Sequence, residues 1–176
     1  MNDHRSYIKI CQSKLLMAFG EVMETPKEGF VPFAKRDPNL YNKIERFFGK
    51  NRRWQEISLN DIKLEFKSDY DGIFYHLGWS GLKSATPLLL NLSYEHYLEG
   101  DTISEVAESV FTSFPRDVSD EASSFSQWIN SYDRYQVTCI LDFLSIAADE
   151  SNGYGDIRAL EGARWWTSRY LDTRYE

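Results

Sequence analysis

The chain has 176 residues, 42% of them apolar and 15% aromatic, with a formal net charge of −7 and a pI near 5.0. That composition is too apolar for a disordered chain and supplies one domain with an ample core, while an acidic net field disfavours nonspecific binding to nucleic acid or anionic membrane. The first fourteen residues lack an apolar run ahead of a small-residue cleavage site, and no run approaches the ~20 apolar residues that span a bilayer, so a cytoplasmic location is expected.

Taken in chain order, Ile8, Cys11, Leu15, Phe19 and Val22 recur at spacings of three and four. They predict a helix from near Asp3 that ends before Thr25-Pro26. Residues 26–38 carry three prolines and read as an irregular connection. Asp37 as cap, Pro38 at the first position, an apolar side of Leu40, Ile44, Phe47 and Phe48, and Gly49 past the end predict a second helix. Ser58 and Asp61 head a shorter third helix through Leu59, Ile62 and Phe66. Residues 69–81 mix three glycines with Ile73, Phe74, Tyr75, Leu77 and Trp79, which leaves aromatic loop, short strand and distorted helix all open.

From Pro87 the sequence LLLNLSYEHYL is apolar on nearly every face and predicts a central helix near residues 87–98. Thr102 with Glu105 suggests a capping box for a helix that ends before Pro115. An acidic, serine-rich connection follows, then a short helix around Phe125 to Ile129, a long one carrying Val137, Ile140, Leu144 and Ala147, and a last one capped by Asp156 with Ala159, Ala163, Trp166 and Tyr170 on one stripe. All five prolines sit at predicted boundaries. The expected fold is mainly α: a single domain over 1–176, a bundle of six or seven helices around the central one. Cys11 and Cys139 fall on apolar stripes and read as buried, reduced thiols.

Trp54 with Ile57, the stretch YHLGWSGLKSATPLLLNL, Gln136 followed by ILDFL, and ALEGARWW together resemble a family of small soluble bacterial proteins known as a domain of unknown function. The resemblance spans Trp54 to Trp166 and carries no charged signature of chemistry. It implies an accessory role of the kind found in mobile cassettes and beside toxin-immunity genes, and it transfers no functional residue.

Several motifs invite chemistry. Gly78-Trp79-Ser80-Gly81 is one residue short of a nucleophile elbow and lacks the sheet that such an elbow needs. His96 and Glu99 with Glu105 and Glu108 lack the repeated Glu-x-x-His order of a carboxylate-bridged metal site, and Asp69-Tyr70-Asp71-Gly72 lacks the later ligands of a calcium loop. No phosphate loop or dinucleotide fingerprint occurs. No metal or cofactor is therefore expected. Lys43, Arg46, Lys50, Arg52 and Arg53 ahead of Trp54 are the best hint of nucleic-acid binding, but cations there also complement a helix carboxyl end, and nucleic acid is disfavoured.

Charge is divided along the chain. Thirteen of the twenty basic residues and nine of the twenty-seven acidic ones precede residue 68, so the first part carries +4 and the remainder −11; Lys83 is the only lysine after Lys67. The leading expectation is a non-enzymatic protein-binding accessory factor, immunity-like, whose acidic C-terminal surface docks a basic partner. Asp117, Asp120, Glu121, Asp133, Asp149 and Glu150 would supply the field, and Trp128, Tyr132 and Tyr154 the aromatic anchors. The competing expectation is an enzyme or small-ligand binder with an aromatic pocket around His76, Trp79, Tyr94 and His96. A third is self-association, basic end against acidic half.

Overall fold

A computed structural model describes residues 2–31, 37–49, 51–96, 102–112, 127–150 and 154–172. Eight helices form among them and no strand beyond an isolated bridge between Val22 and Arg53. They are α1 (Asn2–Phe19), α2 (Pro38–Phe48), α3 (Leu59–Phe66), α4 (Trp79–His96), α5 (Thr102–Thr112), α6 (a turn at 127–130), α7 (Arg134–Glu150) and α8 (Tyr154–Asp172). Short 3-10 turns cover Trp54–Glu56, Lys67–Asp69 and Gly72–His76. The mainly helical fold read from the periodicity is the fold observed.

The helix boundaries follow local chemistry. Asp37 accepts the backbone N–H groups of Asn39 and Leu40 at 3.0 and 3.1 Å, and Pro38 opens α2 with a φ already fit for a helix. At α3 the Ser58 hydroxyl accepts from Asp61 N at 3.2 Å while the Asp61 carboxylate accepts from Ser58 N at 2.9 Å, so two orphan donors are satisfied reciprocally. Asp133 does the same for α7, accepting from Tyr135 N and Gln136 N, and the Gln136 side chain accepts from Asp133 N. The stretch around Asp69–Gly81, open from sequence, is two 3-10 turns leading into the first turn of α4. The Thr102 and Asp156 side chains, expected to cap, lie outside the described residues.

α4 begins at Trp79, eight residues before the expected start. Pro87 was expected at the first helical position; it lies inside the helix, where it cannot donate to the Lys83 carbonyl four residues back. Packing outweighs that missing bond. Ala85, Leu88, Leu89, Leu90 and Leu92 are all fully buried, and each large side chain removed from water contributes about 1.5–3 kcal/mol. The hydroxyl groups of Thr86 and Ser93 bond back to Leu82 and Leu89 carbonyls, which is how polar side chains are tolerated at buried positions of a helix.

α5 and α1 flank α4, and α7 lies between α1 and α8. One continuous core joins these helices to an aromatic cluster at α2 and α3, where Phe47 meets Phe48 and Phe66 edge-on at 5.2 Å. A second aromatic knot joins Trp128, Tyr132 and Trp166 edge to face at 5.5–6.0 Å. The α1–α7 seam carries a polar tie: Lys14 Nζ bonds Asp142 Oδ2 at 2.6 Å, and the Tyr7 hydroxyl reaches Asp142 Oδ1 at 3.3 Å. Cys11 and Cys139 are buried. Burial pushes the Cys139 thiol up to about 12 and raises Cys11, so both are poor nucleophiles at neutral pH.

Gly81 sits where the first turn of α4 presses on the loop carrying Phe30. A Cβ there would lie 2.9 Å from Phe30 Cα and closer still to its carbonyl oxygen. Gly78 N donates to that same carbonyl at 2.8 Å, which locks the approach. Gly81→Ala is expected to lower stability by about 1–3 kcal/mol, read as an earlier urea midpoint at unchanged slope; an unshifted midpoint would show that the two backbones are not in contact.

Candidate functional site

From Ala85 to Tyr94 every position of α4 except the half-buried Asn91 is buried, but a strip along its first two turns is open. There Trp79, Ser80, Lys83, Ser84 and Pro87 share one strip of the helix, at spacings of one, three, one and three. The strip faces the chain at Val22 and 24–28 on one side and Gln127, Trp128, Ser131 and Gln136 on the other, leaving a cleft of about 890 Å³.

Each wall is fastened to α4 by a side chain of the strip. The Ser84 hydroxyl donates to the Glu24 carbonyl, and the Ser80 hydroxyl to Glu28 Oε1. Lys83 Nζ donates to the Ser131 carbonyl, which closes the turn after α6, and the ammonium lies 5.7 Å from the centre of the Tyr132 ring. Behind it, Tyr132 and Thr86 share a 2.7 Å buried hydrogen bond; because Thr86 already donates to Leu82, the phenol is the donor. Trp79 stacks on Trp128 with centroids 5.0 Å apart and planes tilted by 31°. Trp128 is 3% exposed and Trp79 38%, so a fixed indole backs one that opens on the cleft.

The charges here follow from these contacts. The Ser80 hydrogen bond holds the Glu28 carboxyl below its ordinary range. Burial lowers the Lys83 ammonium, and the Asp133 and Glu24 carboxylates partly offset that shift. Nearest to an activated group is thus Lys83, a half-buried amine in an open cleft.

Of the pocket expected from sequence, Trp79 alone among the described side chains lines this cleft. His76 is exposed on the 3-10 turn and is not among the cleft-lining residues. Tyr94 is buried at the far end of α4, about 22 Å along the axis from Trp79, with its hydroxyl 3.4 Å from the Cys139 carbonyl and its ring against Phe143. His96 closes α4, and its side chain lies outside the described residues. Trp79 and Tyr94 lie about four turns apart on one helix, so these two side chains do not line a common pocket.

The aromatic anchors of the expected acidic surface are also placed differently. Trp128 and Tyr132 are 3% and 4% exposed, built into the aromatic knot and not presented to a partner. Asp133 is exposed, but its carboxylate caps α7. Asp117, Asp120 and Glu121 lie outside the described residues; Asp149 and Glu150 end α7 and Tyr154 opens α8, with side chains outside the description.

The basic run ahead of Trp54 is engaged within the fold. Arg46 pairs with Glu65 at 2.8 Å, Arg53 with Glu21 at 3.5 Å, and Arg52 donates to the Phe47 carbonyl while lying over its ring. Lys43 lies over Phe66, and Lys50 is outside the described residues. Trp54 is buried, its indole N–H donating to the Gly20 carbonyl at 2.7 Å, so it offers no face for a base. Among the described residues no group of His, Cys, Asp and Glu is arranged to hold a metal, and no helix is long and apolar enough to cross a membrane.

Lys83, Glu24 and Ser84 were missed from sequence. One signal was present: the only lysine after Lys67 interrupts an otherwise apolar helix beside two serines. No family model, curated protein or solved structure matches the chain.

The lowered Lys83 value has a consequence for pH. The unfolded chain holds that proton more tightly, so the Lys83 contribution to stability grows as pH rises from the folded-state value toward the ordinary 10.5, and is flat outside that window. In 13C-dimethyl-lysine NMR, Lys83 is expected to titrate below the ordinary lysine value of 10.5; a titration at or above that value would show the amine to be fully solvated.

Proposed function

We propose that this chain acts by binding, not by chemical transformation, and that it receives its ligand in the cleft between the first turns of α4 and the 24–28 wall. The observation that carries the reading is the Trp79–Trp128 pair: a half-open indole fixed on a buried one, one helical turn from a partly desolvated ammonium. Pockets that bind small molecules combine aromatic walls with a few placed polar groups, and rigid aromatic rings lose little entropy when a ligand settles on them.

The polar groups of the cleft suit holding better than reacting. Ser80 has a carboxylate neighbour, but the hydrogen bond pushes Glu28 below its ordinary range, away from the value near neutrality that a general base needs. The Ser84 hydroxyl is spent on a backbone carbonyl. The Lys83 amine is steadied by the Ser131 carbonyl and two carboxylates, which favour its cationic form against burial. An accessory binding factor is the role these features support.

An aromatic anion provides a direct test. The native protein is expected to bind 8-anilinonaphthalene-1-sulfonate at one saturable site with a blue-shifted emission. Trp79→Ala, which removes a side chain already 38% exposed, should weaken binding at least about tenfold, or 1.4 kcal/mol, with the helical circular dichroism unchanged. Dye binding that never saturates, or that Trp79→Ala leaves intact, would remove the cleft as the binding site.

A further inference from the structure

We infer that the cleft is suited to a free aromatic α-amino acid, its ring laid on Trp79, its carboxylate on the Lys83 ammonium and its ammonium on the Glu24 carboxylate. This rests on the cleft being a binding site, and it adds the chemical class of the ligand.

The charge balance of the walls points to it. Among the described residues the cleft is lined by two carboxylates, Glu24 and Glu28, and two ammonium groups, Lys27 and Lys83. Glu28 is engaged by the Ser80 hydroxyl and feels the adjacent Lys27. Lys83 and Glu24 remain, close enough to act on one another electrostatically; Asp133 also acts on Lys83, but its carboxylate is committed to the amino end of α7, and among the described residues neither Lys83 nor Glu24 makes an ion pair. A ligand carrying only a negative group would gain Lys83 and be repelled by Glu24; one carrying only a positive group would meet the reverse. A zwitterion whose charges are two bonds apart satisfies both, and paired charges are what desolvated sites accept.

The donor and acceptor inventory agrees. An ammonium has three N–H donors, and Lys83 directs one to the Ser131 carbonyl, leaving two for a carboxylate entering the cleft. Glu24 is fixed from behind, its own carbonyl taken by Ser84, so its carboxylate is carried on an anchored stretch of wall. A ligand carboxylate at Lys83 would also restore what burial takes from the ammonium.

The ring follows from spacing. Trp79 and Lys83 are four residues apart on one helix, so their Cβ atoms lie about 5–6 Å from each other, a separation of the same order as that between the ring and the carboxylate of an aromatic amino acid. Offset stacking on the half-open Trp79 favours a planar ring over a branched aliphatic chain. Phe19, Val22, Pro26 and Pro87 supply apolar surface around it.

Isothermal titration calorimetry of the full chain with L-phenylalanine, 3-phenylpropionate and 2-phenylethylamine separates the contributions. Phenylalanine is expected to bind with one-to-one stoichiometry and each singly charged analogue at least about tenfold more weakly. In Lys83→Met, phenylalanine should lose its advantage over 2-phenylethylamine; in Glu24→Gln, its advantage over 3-phenylpropionate. Circular dichroism confirms that both variants fold. An analogue that matches phenylalanine on the native protein, or selectivity unaltered in either variant, overturns the assignment. If phenylalanine fails to bind while the dye still binds in a Trp79-dependent manner, the amino-acid class is wrong and the cleft stands; if dye binding also fails, both fall.

Discussion

Burial of α4 from Ala85 to Tyr94, where Asn91 alone is half-buried, dictates how everything else in the molecule is arranged. A helix with leucine at four of the five positions from 88 to 92 has little solvent face to offer there, so α1, α5 and α7 have to pack around it. That same enclosure explains its polar residues. Thr86 and Ser93 return their hydroxyls to the helix backbone, and the Tyr132 phenol, which burial keeps protonated, completes the hydrogen bonding of Thr86. Pro87 removes one backbone donor in the middle of this helix, next to the strip that opens on the cleft. The apolar packing on the other faces outweighs that loss.

Where the enclosure stops, chemistry becomes available. The first turns of α4 are held against their neighbours by individual side chains, Ser80, Lys83 and Ser84, and not by a continuous apolar seam. Contacts of this kind keep walls in place without filling the space between them. The cleft therefore arises from the change in packing along one helix: close-packed leucines toward His96, spaced polar tethers toward Trp79. Trp128 links the two regimes, since one face of the knot it forms with Tyr132 and Trp166 belongs to the core and another supports Trp79.

Several charged side chains elsewhere are engaged by local structure. Carboxylates of Asp37, Asp61 and Asp133 serve helix amino ends, Asp142 ties α7 to Lys14 and Tyr7 of α1, and the arginines near Trp54 pair with Glu21 and Glu65 or rest on Phe47. Among the ion pairs of the described residues, Lys14–Asp142 joins the basic first part of the chain to the acidic remainder, whereas Arg46–Glu65 and Arg53–Glu21 lie within the first part. Exposed pairs of this kind contribute little each to stability.

Periodicity and capping residues were enough to read the helical class, the boundaries of α2 and α3, and the burial of Leu15, Ile44, Ile140 and Trp166, because those features depend on neighbours three or four positions away. Tertiary contact decided the rest. Pro87 and the residues before it read locally as a break, and only packing from several sides makes them a helix interior. Trp128 and Tyr132 read as surface anchors beside acidic residues, and only the approach of α8 with Trp166 buries them. Lys83 carried a faint signal in its isolation, but its meaning depends on Glu24 and Ser131, 59 and 48 residues away along the chain. A site assembled from such distant segments has no spacing to read, since side chains converge there through folding and not through sequence order.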